Sequence, residues 1–112
     1  MKQLSTKPAD VTFVPMLTVE RDIDALAKSG RFKIFQDEDD LGPIKCAYLE
    51  TSKGNVFVVF AYVYRSVPKA MTDIAIPSGL KTTADVLRDI TRELGLKETE
   101  VTPRDVRYDE VA

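Results

Sequence analysis

The chain has no histidine and a single cysteine. The missing histidine removes at once the commonest general base, a common metal ligand and the Ser–His or Cys–His nucleophile pair. Only carboxylate, lysine or tyrosine chemistry is left, so the expectation is a protein that is not an enzyme and holds no metal or cofactor. Cys46 is alone, which excludes an intramolecular disulfide and a cysteine metal cluster. It lies among apolar neighbours and reads as a small core residue. Long apolar runs are absent too: no stretch approaches the ~20 residues of a membrane span, and the polar start MKQLSTKPADVTF does not read as a signal peptide. These point to a soluble, cytoplasmic protein with no membrane partner. Nor is there a basic excess. Sixteen Lys and Arg stand against 18 Asp and Glu, the net charge is −2, and the cations are scattered, so nucleic acid is an unlikely partner.

What is there is ordinary globular material: 112 residues, 44% hydrophobic and 30% charged, enough for one domain around one core. Residues 1–10 read as a loose arm. Val11–Val14 is at best a short edge strand that stops at Pro15. Thr18 is placed to cap a helix over 19–29, with Val19, Ile23, Leu26 and Ala27 on one face and Gly30 closing it. A strand over 31–36 follows, then an acidic loop, Asp37-Glu38-Asp39-Asp40. The next strand is Ile44–Thr51, with Ile44, Cys46 and Tyr48 sharing a face, and Ser52-Lys53-Gly54-Asn55 is a hairpin turn. Asn55–Arg65 contains nine consecutive apolar or aromatic residues and reads as the central strand. After a connection broken at Pro68, Asp73–Ile76 is a short strand. Thr82 or Thr83 then caps a second helix with a Val86, Leu87, Ile90, Leu94 stripe, ended by Gly95. In the tail, 96–112, Thr102-Pro103 suits a last helical turn, while Val101, Val106 and Tyr108 suit a docked extended segment. The expected fold is therefore α+β: an antiparallel three- to four-stranded β-meander flanked by an N-terminal and a C-terminal helix.

Two stretches invite a ligand. The run 37–40 has clustered carboxylates, but an EF-hand loop starting at Asp37 meets Leu41 and Tyr48 where ligands are needed, so a solvated loop is the better reading. The turn Ser78, Gly79, Lys81, Thr82 and Thr83 precedes a helix N-terminus and is the candidate anion site, although it lacks P-loop spacing.

The central strand carries the functional argument. Its residues Val56, Val58, Phe60, Tyr62 and Tyr64 point one way and Phe57, Val59, Ala61 and Val63 the other, and both faces want cover. Two helices about 16–20 Å long cover about one face of a four-stranded sheet. Unless the helices split or the tail crosses over, another molecule covers the second face. The expectation is a small interaction or regulatory protein, a homodimer or an acidic subunit of antitoxin or immunity type. Its interface is Val56, Val58, Phe60, Tyr62 and Tyr64, the side with two tyrosines. The alternative is a small-molecule or anion-binding module using Ser78–Thr83.

Overall fold

In a computed structural model that describes residues 1–39, 42–63 and 71–103, alternating side chains sort onto two faces of one antiparallel sheet. The strands are β1 (Lys2–Gln3), β2 (Phe13–Val19), β3 (Phe35–Asp39), β4 (Gly42–Glu50), β5 (Val56–Tyr62), β6 (Thr72–Pro77) and β7 (Val101–Pro103). The helices are α1 (Ile23–Gly30), between β2 and β3, and α2 (Thr83–Leu94), between β6 and a 3-10 turn at Glu98–Glu100. The order across the sheet is β1-β4-β5-β6-β2-β7, and β3 shares with β1 the outer edge of β4. The α+β class is as expected. The helix-first order and the count of three or four strands are not: two strands precede α1, and the sheet has seven among the described residues.

The differences have local causes. Thr18 and Val19 belong to β2, not to a helix cap, because β6 and β7 both pair with that stretch. Pro15 does not stop the strand. It sits where the pairing slips between Pro15 and Leu17, a bulge, and a bulge tolerates a residue that lacks an N–H. Far from being an edge, β2 therefore lies between two strands. Helix α1 starts at Ile23, and its left-handed terminal residue is Arg31, φ 58°, not Gly30. Gly30 answers a different need: a Cβ there would lie 2.8 Å from Cε1 of the buried Phe32 ring. The acidic run is mostly strand, with Asp37, Glu38 and Asp39 paired to Ile44, Pro43 and Gly42. At a sheet edge, charged side chains are at home. Of the tail, Thr102 and Pro103 extend along β2 instead of opening a helix, while Val106 and Tyr108 lie outside the described residues. The arm is tied at its start: Lys2 and Gln3 pair with β4, and the Leu4 N–H donates to the Tyr48 carbonyl at 2.9 Å.

Both helices pack on the same face. Ile23, Leu26 and Ala27 of α1 and Val86, Ile90 and Leu94 of α2 form one buried cluster with Leu49, Phe57, Val59, Ile74 and Ile76. Phe57, fully buried, contributes roughly 2–3 kcal/mol from area alone. Polar clasps fix the layers. The β4–β5 hairpin is held to α2 by Asn55, whose Nδ2 donates to Asp89 Oδ2 at 2.6 Å, and by the Ser52 N–H, which donates to Glu93 Oε1 at 2.6 Å. At the other end, Arg21 Nη2 reaches both Glu100 carboxylate oxygens at 2.8 and 2.9 Å. Strand β5 is thereby held in the interior of the sheet, with one face sealed.

Candidate functional site

The other face of the sheet is built in rows by the strand register, since cross-strand partners point the same way. One row is Tyr48, Val58, Ala75 and Pro15. The next is Phe35, Cys46, Phe60, Asp73 and Thr18, and the third is Asp37, Ile44 and Tyr62. Ile44, Cys46, Val58 and Ala75 form a second buried cluster, against which Phe13, Tyr48, Phe60 and Tyr62 pack half-buried. Among the described residues no helix lies on this side.

Its aromatic rings are arranged in two pairs. Phe60 and Tyr62 meet edge to face with centroids 6.0 Å apart, and Phe13 and Tyr48 are 5.8 Å apart at 51°. Phe13 and Tyr48 come from β2 and β4, with β5 and β6 between them, so their contact spans the short side chains of Val58 and Ala75. With Lys7 and Val11–Phe13 of the arm as one wall, these side chains leave a cleft of about 370 Å³ whose lining mixes polar and apolar surface. Phe35 extends the aromatic surface outward and is 48% exposed, which is unusual for so large an apolar side chain.

Burial sets the chemistry of this face. Desolvation, then Cys46 and Asp37, push the Tyr48 hydroxyl up to about 12. Burial foremost, then Asp37, also raises the Cys46 thiol, and Lys7 opposes this. Both groups stay protonated at neutral pH, so the face presents packing surface with weak donors in place of a base or nucleophile. Two exposed charges lie beside it. Lys7 is exposed, and Asp37 accepts a local hydrogen bond from the Glu38 N–H at 2.8 Å. Asp73, 1% exposed, accepts from Thr18 Oγ1 at 2.9 Å within the second row.

Of the residues expected at an interface, Val58, Phe60 and Tyr62 come together here. Val56 is half-buried at the end of β5 opposite Glu50, outside the apolar cluster, and Tyr64 lies outside the described residues. Ser78, Gly79, Lys81, Thr82 and Thr83 form a separate turn between β6 and α2. The Ser78 N–H donates to the Thr12 carbonyl at 2.9 Å, Gly79 has φ 80°, Thr83 Oγ1 donates to the Leu80 carbonyl at 3.3 Å, and Thr82 at the N-cap makes no side-chain cap bond. Sequence reasoning missed Phe13, Phe35 and Lys7 on the aromatic face. Tyr48 was findable, since its alternation with Ile44 and Cys46 and the 52–55 turn set it beside β5. Phe13 was hidden by the assumption that Pro15 ends its strand.

No helix among the described residues is long and apolar enough to cross a membrane. No family model matches the chain, and comparison with curated proteins and with solved structures gives no match.

Proposed function

We propose that this chain is a small cytoplasmic interaction protein, without enzymatic activity, that acts as a homodimer joined through the aromatic face of its sheet. One observation carries the reading: among the described residues both helices cover one side of the sheet, while Phe13, Phe35, Tyr48, Phe60 and Tyr62 crowd the other with only the arm beside them. An apolar surface rich in Phe and Tyr is the composition of an interface centre. A second copy is the occupant favoured by charge. The face is bounded by a cation and an anion, Lys7 and Asp37, so it selects neither a basic nor an acidic partner, and in a two-fold contact such a patch meets its own complement.

The test is light scattering on the eluting protein over a concentration series. The wild type is expected at twice the 12.5 kDa chain mass, and Phe60→Lys and Phe35→Lys at the monomer mass with unchanged circular dichroism. A wild-type monomer at every concentration rejects the reading.

A second reading, a small-molecule-binding module, is favoured by the cleft more than by the Ser78–Thr83 turn. A volume of about 370 Å³ with aromatic walls and Lys7 at its side suits an apolar carboxylate. A thermal-shift screen of fatty and aromatic carboxylates checks it: a rise with wild type that is lost with Lys7→Ala supports it, and no shift rejects it.

A further inference from the structure

Helix α2 turns a charged side toward the β4–β5 hairpin. Its sequence repeats one spacing, Asp85–Arg88 and Asp89–Arg92, and residues four apart, such as the two arginines, are neighbours on a helix surface. Each guanidinium is bound by the carboxylate three residues before it: Arg88 Nη2 donates to Asp85 Oδ1, and Arg92 Nη2 to Asp89 Oδ1 at 3.1 Å. Among the described residues these bonds use one nitrogen of each fork, which orients it and leaves Nε and Nη1 as donors. Asp89 is 4% exposed and also accepts from Asn55 Nδ2 at 2.6 Å, so Arg92 is tethered to a buried anchor.

Lys53 faces the two arginines from the hairpin. The turn that carries it is closed by the Gly54 N–H, which donates to the Thr51 carbonyl at 2.9 Å, and both Ser52 and Asn55 are bonded to α2. Lys53 is therefore held beside the helix, while its ammonium makes no hydrogen bond or ion pair among the described residues. Lys53, Asp85, Arg88, Asp89 and Arg92 line a cleft of about 400 Å³. Three cations there outnumber two carboxylates, and each carboxylate is already engaged by an arginine. The nearby Glu93 is taken up by the Ser52 N–H at 2.6 Å.

We infer that this cleft binds a phosphoryl group, with Arg88 and Arg92 donating to its oxygens from α2 and Lys53 from the hairpin. A carboxylate offers two oxygens and one charge. A phosphoryl group offers three oxygens and about two charges, which matches three converging cations. In a chain of net charge −2, such a local excess of cations is where an anion collects. The site is distinct from the Ser78–Thr83 turn. It is also independent of the homodimer reading, because α2 packs on the face opposite the aromatic one.

Titration of the full chain with sodium pyrophosphate at constant ionic strength, followed by 1H–15N NMR, tests the site. Shifts that saturate by about 10 mM are expected at the Lys53 amide and at Nε–H of Arg88 and Arg92, with none at Lys81. Sodium acetate over the same range should leave these signals in place. Lys53→Ala and Arg88→Ala should each raise the Kd on the order of ten-fold, since each removes a charge-assisted contact. Both side chains are exposed, and unchanged urea unfolding shows that the fold is kept. Shifts that do not saturate or that centre on Lys81, equal shifts with acetate, or a Kd that neither variant moves overturn the assignment.

Discussion

Asp89 offers the sharpest test of how the hairpin is held to α2. It is a carboxylate 4% exposed on the inner side of an amphipathic helix. Its Oδ2 accepts from Asn55 Nδ2 at 2.6 Å and its Oδ1 from Arg92 Nη2 at 3.1 Å. The Thr51 hydroxyl is the largest influence holding its pKa below the ordinary value. Burial works against that, and Asn55 and Arg92 add to it. In Asp89→Ala all these partners lose their acceptor. Hydrogen bonds to a charged group contribute about 1.5–3 kcal/mol each, but the Arg92 side chain is 65% exposed and returns to water. Half-buried Asn55 and buried Thr51 do not. The expected loss is about 2 kcal/mol, a fall in Tm of roughly 8 °C for a domain of this size. Because the folded pKa lies below the unfolded one, this stabilisation is complete above the unfolded value. It declines as the pH falls below about 4 and vanishes below the folded value. Urea unfolding of wild type and variant from pH 7 to pH 3 should show a gap of about 2 kcal/mol at pH 7 that closes toward pH 3. A gap under about 0.5 kcal/mol at pH 7, or one unchanged at pH 3, refutes this account of the clasp.

Gly30→Ala should lower stability by about 1 kcal/mol despite alanine's better helix propensity, since the added methyl meets the buried Phe32 ring; urea unfolding checks it, and a more stable variant contradicts it. Cys46, 1% exposed with a raised pKa, should react with a disulfide reagent at pH 8 at least ~100-fold more slowly in native protein than in urea, and equal rates contradict its place in the buried cluster beside Phe60. Phe57→Ala should cost about 3–5 kcal/mol in the same unfolding assay, because its ring is fully buried in the cluster that joins the sheet to the helices.

How much of this could be read beforehand follows from the range of the forces involved. Strand β5 and the stripe of α2 were plain because Val56–Tyr62 and Val86, Ile90 and Leu94 are periodic and bounded by Gly54 and Gly95, signals carried within a few residues. The split of β5 into a Phe57 face and a Phe60 face followed from alternation alone. Where partners distant in sequence decide, local signals misled. Thr18 looks like a cap until Asp73, 55 residues away, takes its hydroxyl. Asp37–Asp39 looks like a loop until β4 offers an unpaired edge. Gly30 looks like a left-handed terminus, yet the glycine is needed for a ring two residues on, and Arg31 takes the left-handed position itself. The aromatic face was half visible: its β5 residues were read directly, while Phe13 and Phe35 reach it only through pairings that no local pattern announces.

The central claim is association through that face, and isotope-filtered NMR on a mixture of labelled and unlabelled chains tests it most directly. The account predicts intermolecular contacts from the Phe35, Phe60 and Tyr62 rings and the Ile44 and Val58 methyls, and none from Leu87 on α2. Intermolecular contacts confined to the helices, or none from the Phe60 row at millimolar concentration, contradict it.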